Sequence, residues 1–220
     1  MATMPMFPLG SVLLPGAVLP LHVFEPRYRE LVKDCLATID HEFGVVLIER
    51  GVEVGGGDFR CMIGTVARLI QVAELEDGRY ALVTVGTRRL RVREWLRDDP
   101  YPQADVEDWP DEDTDDPMLD DRVAAAWARV RRMNALAAEL GDAHADATVE
   151  ISSDPLVASY HLSALAPLGP ADQQRLLAAR GPAERLDLLD TALDDADALQ
   201  QFRLQHPSNG SDLDHDFGDS

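Results

Sequence analysis

Lysine is almost missing from this sequence: of 20 lysines and arginines only Lys33 is a lysine. A phosphate-binding loop of the form Gly-x-x-x-x-Gly-Lys-Ser/Thr needs that amine behind a glycine-rich turn to neutralise phosphate. Lys33 lies instead between Leu31-Val32 and Asp34-Cys35, which excludes this route to nucleotide hydrolysis. Cysteine is nearly as scarce. Cys35 and Cys61 fall in apolar stretches without metal-type spacing, as buried free thiols of a reducing compartment do. No apolar run approaches the ~20 residues of a membrane helix. Met1-Ala2-Thr3-Met4-Pro5 has neither the basic nor the long apolar region of an export signal, so the expected location is cytoplasmic. Positive charge is outnumbered as well: the formal net charge is -20, which opposes loose attachment to nucleic acid or anionic lipid.

What is present is enough apolar material for a sizeable core, 45% of 220 residues, without disulfides or metal. The first ~110 residues read as β structure with one helix inserted. Short apolar segments cover Met6 to Leu9 and Ala17 to Phe24, the latter placed at an edge or bulge by Pro20. The unbroken run Phe43-Gly44-Val45-Val46-Leu47-Ile48 marks a strand covered on both faces. Arg60 to Glu74, bent at Gly64, and Arg79 to Val92, bulged at Gly86, make a hairpin about Asp77-Gly78. A last extended piece runs from Tyr101 to Trp109. The helix starts at Pro26, behind Glu25, with Tyr28, Leu31, Val32, Cys35 and Ile39 on its apolar face. Gly51 to Asp58 is a loop. Asp111 to Pro117 reads as a linker kept extended and solvated by its prolines and charge. Beyond it the pattern is helical. A stripe runs from Leu119 to Leu140 and stops at Gly141, and further helices open at Pro155, Pro170 and Pro182. The expected division is residues 1–110 for a β subdomain, 111–117 for the linker, 118–205 for a helical bundle and 206–220 for a disordered acidic tail. Strands first and helices after give the α+β class, not alternating βαβ units.

Phe7-Pro8-Leu9, Leu13-Leu14-Pro15-Gly16 and Pro20-Leu21-His22-Val23-Phe24-Glu25-Pro26-Arg27-Tyr28 together resemble the opening of the amino-terminal domain of the Lon protease family. Asp77-Gly78-Arg79-Tyr80 and Gly86 to Val92 are similar to that family's hairpin. Leu156 to Leu168, Gln173 to Leu177 and Glu184 to Leu186 are similar to its closing helices. The resemblance covers roughly Met6 to Leu199. It implies a PUA-like β pseudobarrel followed by a C-terminal helical bundle, and a non-catalytic module that grips protein substrates or peptides. It also implies polypeptide or a separate protease or chaperone as partner. A full Lon continues into ATPase and peptidase parts, which are not expected here. The family's peptidase pairs a serine with a lysine base, and Lys33, on the polar side of its helix, should keep an ordinary pKa and serve poorly as one. Locally, Pro15-Gly16 and Pro20 bend the entering chain. Phe24 and Tyr28 anchor the helix on the barrel, and Glu25 complements its dipole.

Other chemistry finds little support. His41-Glu42 begins like a zinc helix, but Val45 stands where the second histidine belongs. Asp111, Asp113 and Asp115 imitate a calcium loop whose glycine is replaced by Asp116 and whose glutamate by Arg122. His22, His144, His161, His206 and His215 suggest no triad. No catalytic residue, metal or cofactor is therefore expected. Arg88, Arg89, Arg91, Arg93 and Arg97 offer an alternative, because PUA-like folds can bind RNA. Salt bridges to the acids of Asp98 to Asp121 are the competing use of that strand. A scaffold or regulator of a separate protease or chaperone is a further alternative. For peptide contact, the apolar loop residues Leu13, Leu14, Val52 and Val54 are the candidates, with plain packing against the barrel as their other reading.

Overall fold

The structure, a computed structural model, describes residues 2–50, 59–139 and 150–205. In chain order it contains β1 (Ala2–Leu9), β2 (Val18–Val23), α1 (Pro26–Ala37), β3 (Glu42–Arg50), β4 (Phe59–Glu74), β5 (Tyr80–Trp95), β6 (Gln103–Asp108), α2 (Leu119–Glu139), α3 (Pro155–Leu165), α4 (Pro170–Leu177) and α5 (Pro182–Gln205). The expected α+β segregation is present. The strand order β2-β5-β4-β3-β1-β6, with β6 pairing back onto β5, closes five strands into a ring and leaves β2 outside it. The length of β5 makes both pairings possible. Tyr80 to Val85 hold β2, while Leu90 to Trp95 hold β6. Between them the β4–β5 register shifts at Val66/Ala67, a bulge that adds the local twist a closed sheet needs.

Neighbouring residues on three strands divide between two cores. Met6, Val46 and Val66 join Leu90, Val92, Ala104 and Val106 within the ring. Phe7, Val45 and Ala67 join Tyr28, Leu31, Val32 and Cys35 of α1. The apolar run of β3 thus buries both its faces. Phe7 stacks on Tyr28 at 4.1 Å between ring centroids, which seats α1 on the sheet.

The helices α2 to α5 share a core of Val123, Val130, Met133, Leu162, Leu176, Leu186, Leu189 and Leu193, among others. Proline opens α3, α4 and α5, where its missing N–H costs nothing. Asp154 caps α3 by accepting from the amides of Leu156 and Val157. Arg122 pairs with Asp187, Arg129 with Asp190 and Asp194, and Arg132 with Asp197. The rising numbers on both sides show that α2 and α5 run parallel.

Several expectations need correction. Ile39 is 96% exposed, because α1 ends at Ala37 and Thr38, capping Cys35, turns the chain away. Phe24 is likewise exposed and anchors nothing, whereas Tyr28 is buried. Glu25 makes no side-chain cap on α1; its carboxylate is held by Arg27 at 3.0 Å. The hairpin loop is Glu76-Asp77-Gly78, with Gly78 at φ 75° and its amide on the Leu75 carbonyl, so the turn carries one residue more than the Asp-Gly pair suggests. The acidic linker is not wholly solvated, since Asp111 is drawn inside as described below. The loop 51–58, the end of the long helix at Leu140 and Gly141, and the tail from 206 on lie outside the described residues.

Leu14 to Ala17 form a turn in which Pro15 precedes Gly16 at φ 82° and the Ala17 amide reaches the Leu14 carbonyl at 3.0 Å. That is a type II turn, which requires glycine at its third position. A Cβ on Gly16 would also sit 2.8 Å from Nε2 of His161. Gly16→Ala is therefore expected to cost about 1–3 kcal/mol, seen as a lowered thermal midpoint with an unchanged far-UV spectrum.

Candidate functional site

Among the described residues an open apolar surface is built on β2. Its pairs with β5 alternate in face. Leu19, Leu21 and Val23 turn toward the α1 core, while Val18, Pro20 and His22 turn outward opposite Val85, Val83 and Ala81. The next strand continues this outer face with Gln71 and Ala73, and Ile70 stands beside them at the β4 register shift. Val18 and Ile70 are 65% and 57% exposed. A shallow cavity of about 600 Å³ on these strands is lined by Pro20, His22, Ala73 and Val83 and also by Leu21 and Val72, which pack against the α1 core. A second, smaller groove of about 140 Å³ lies between β1 and β2, walled by Pro8, Leu9, Leu21, His22 and Phe24, with Glu25 at its rim. β2 is the common wall of both. The opening segment that carries the family resemblance therefore builds this surface.

Backbone directions explain why β2 has remained unpaired on one side. The Ala17 carbonyl accepts from the Gly86 amide on β5, so alternation aims Val18, Pro20 and His22 away from β5. Among the described residues no strand pairs with that side. Pro20 has no N–H to offer there, which is how edge strands resist unwanted partners.

Of the candidate contact residues, Leu13 and Leu14 follow their packing reading. Leu13 and Leu14 are 3% and 1% exposed. Leu13 belongs to the α1 core, and Leu14 packs on Tyr160 and Leu177 of the helices. In the sequence they stood out as part of an apolar loop, open to contact or to packing. Val52 and Val54 lie outside the described residues. Val18 and Ile70 are outward apolar residues that sequence reasoning did not single out; Pro20, marking β2 as an edge strand, was an available signal for Val18, and Ile70 on β4 had none.

The arginine strand is largely occupied. Arg88 bonds Glu42 and Asp108, each at 2.8 Å, and Arg93 pairs with Glu107 at 2.6 Å. Arg89 and Arg91 stack on Trp109 at 4.1 and 4.6 Å from its centroid. Arg97 is exposed. Arg89 is buried and donates to the carbonyls of Leu177, Ala179, Pro110 and Arg180, and it pairs with Asp111 at 3.2 Å. Arg185, fully buried, binds the same Asp111 oxygen at 2.5 Å and lies over the Tyr160 ring, whose hydroxyl donates to the other oxygen. Burial lowers the Arg89 pKa against the opposing fields of Tyr160 and Asp111. Arg89 and Arg185 are thus clamps between ring and helices, while Arg88 and Arg93 are spent on ion pairs within the ring.

Lys33 donates to Glu30 at 2.8 Å, a bond that raises its pKa above the ordinary value expected and makes it a still poorer base. His161 accepts from the Ser152 amide through Nδ1. His41 caps the end of α1 at the Cys35 carbonyl. Among the described residues no group of three or more His, Cys, Asp and Glu is placed to hold a metal ion, and no helix is long and apolar enough to cross a membrane. Burial pushes the Cys35 thiol up to about 12, while Cys61, half-buried, is raised for the same cause. A thiol reagent near pH ~8 is expected to label Cys61 in the native protein and to reach Cys35 only in denaturant. Labelling followed by peptide mapping checks this, and native modification of Cys35 would contradict the packing of α1.

A closed β ring, an outlying strand with an apolar outer face and a clamped helical unit together define a mixed α+β binding domain. The chain belongs to the family described as the ATP-dependent protease La (LON) substrate-binding domain, which it matches over residues 3–195. A Lon N-terminal domain protein from Xanthomonas campestris is 31% identical, with a TM-score of 0.61 over 87% of this chain and 98% of that one. The N-terminal domain of Mycobacterium avium complex Lon protease, 19% identical with a TM-score of 0.62, covers 88% of this chain and 99% of its own and shares the fold. Among curated proteins, the Lon protease of Desulfovibrio desulfuricans is 26% identical over 195 residues, 87% of this chain and 22% of its own length. Lon protease 2 of Myxococcus xanthus is 38% identical over 107 residues, 47% of this chain and 13% of its own. The chain thus spans under a quarter of the length of these curated relatives.

Proposed function

We propose that this chain captures polypeptide segments from unfolded or partly unfolded protein, without chemistry of its own, on the apolar surface about β2. The observation that carries this reading is the set of outward apolar side chains at Val18 and Pro20 on the edge strand, with Val83 and Ile70 on the two strands beside it, on a sheet whose β2 edge no described strand covers. Scattered single apolar residues on a surface are ordinary, whereas a contiguous group on a rigid sheet is where partners dock. Membership of a substrate-binding family gives the partner its class. We read the ring as a PUA-like pseudobarrel within residues 1–110, clamped through 111–117 to the helices of 118–205. The setting is the cytoplasm, with a protease or chaperone receiving what is captured.

The test is fluorescence anisotropy with a labelled, permanently unfolded polypeptide. Val18→Asp and Ile70→Asp, both at exposed positions, are expected to weaken capture about ten-fold or more, or ~1.4 kcal/mol, while leaving the thermal midpoint within about 2 °C. Undiminished capture by both variants would place the binding surface elsewhere.

A further inference from the structure

We propose that the captured segment binds as an added strand, its extended backbone pairing with the outer edge of β2 through alternate peptide groups. This rests on the reading above and specifies the conformation of the ligand it takes.

The β2–β5 pairs run from Val18 and Val85 to Val23 and Tyr80 without a register shift. Leu19 turns its carbonyl to β5, where the Thr84 hydroxyl donates to it at 2.9 Å. Alternation then aims the amides of Val18 and His22, and the carbonyls of Val18, Pro20 and His22, at the open side. Among the described residues none of these groups has a hydrogen-bond partner. They are spaced as one side of a ladder. An antiparallel segment laid there makes two bonds with Val18, two with His22 and one with the Pro20 carbonyl. Pro20 withholds one donor of three, which weakens the ladder without ending it. A helical segment spends its amides on its own carbonyls, so the occupant is extended.

Side chains of such a segment alternate between the two faces of the sheet. Those opposite Val18, Pro20 and His22 lie over the outer face. Those between them turn toward the groove walled by Pro8, Leu9, Leu21 and Phe24. A second copy of this chain is the poorer occupant. Its β2, laid antiparallel so that Val18 faces His22, sets Pro20 against Pro20 and leaves the centre of the ladder without a donor on either side. Two chains of net charge -20 also repel each other. A segment of another protein with an N–H opposite Pro20 has neither fault.

The experiment compares a fluorescein-labelled peptide of about ten residues alternating Leu and Ser with two N-methylated versions, one methylated at the Leu amides and one at the Ser amides. Methylation removes donors and leaves every side chain in place. Each peptide is titrated by anisotropy against the unmodified protein and the Val18→Asp variant. An added strand uses only alternate amides. One methylated peptide is therefore expected to lose more than about ten-fold in affinity, while the other stays within about two-fold of the parent. A difference of less than about five-fold between the two methylated peptides, with Val18→Asp still weakening capture of the parent, would overturn this inference and leave the binding site standing. Equal binding of the parent peptide by Val18→Asp and unmodified protein, or no binding of it at all, would overturn both.

Discussion

Replacing Asp111 by asparagine is expected to lower the unfolding free energy by about 3–5 kcal/mol. One carboxylate, with 9% of its side chain exposed, serves two guanidiniums that are 1% and 0% exposed. The amide of Asn keeps the shape and removes the charge. Two buried cations then face each other with only neutral acceptors: the Leu177, Ala179 and Arg180 carbonyls around Arg89, and the Leu176 carbonyl and Ser159 hydroxyl around Arg185. Those carbonyls belong to the end of α4 and the turn after it, where the helix dipole is negative, so they offset part of the charge but not the loss of the carboxylate. Urea unfolding monitored by far-UV circular dichroism measures the change. Adding Arg185→Met to Asp111→Asn is expected to recover part of the loss by removing one of the unpaired cations, a coupling that a double-mutant cycle isolates. A loss under about 1 kcal/mol for Asp111→Asn would mean that water enters this junction and solvates the arginines.

That junction also shows where a sequence stops being readable. Helix starts were legible because proline acts locally: Pro26, Pro155, Pro170 and Pro182 each open a helix wherever the rest of the chain lies. β3 was legible as a doubly covered strand because its apolar run has no polar face to expose. The β2 edge was half legible: Pro20 gave its place in the sheet, but which of its residues face outward depends on pairing with β5. The clamp was not legible in full. Arg89 and the acids after Asp98 were expected to pair, and Arg88, Arg89 and Arg93 do so. Nothing in Glu184-Arg185-Leu186 says that Arg185 will be buried against Asp111, because the partner is 74 residues away and burial is decided by tertiary packing. Ile39 failed for the opposite reason. Its spacing continues the apolar face of α1, but the Thr38 hydroxyl and the His41 ring compete for the Cys35 carbonyl and end the helix first.

Leu14 carried two readings, contact and packing, and its truncation separates packing from recognition. Leu14→Ala is expected to cost about 2–5 kcal/mol. The side chain is 1% exposed and fills the space between the ring and the helices, against Tyr160 and Leu177, with Val12, Ile63 and Leu156 around it. Little nearby can collapse into the void. The Leu13 carbonyl on one side is held by the Thr65 hydroxyl at 2.5 Å, and the turn at Pro15-Gly16 fixes the other. The loss should therefore lie near the upper part of that range. It should appear in thermal and urea midpoints alike, and capture of unfolded polypeptide below the transition should stay within about two-fold of the unmodified protein. Val18→Asp is expected to do the reverse, weakening capture about ten-fold or more at full stability. If Leu14→Ala weakened capture about ten-fold while the folded fraction stayed near one, the segment from Leu13 to Gly16 would have to leave its seat during binding. The ligand surface would then extend from β2 into the seam between ring and helices.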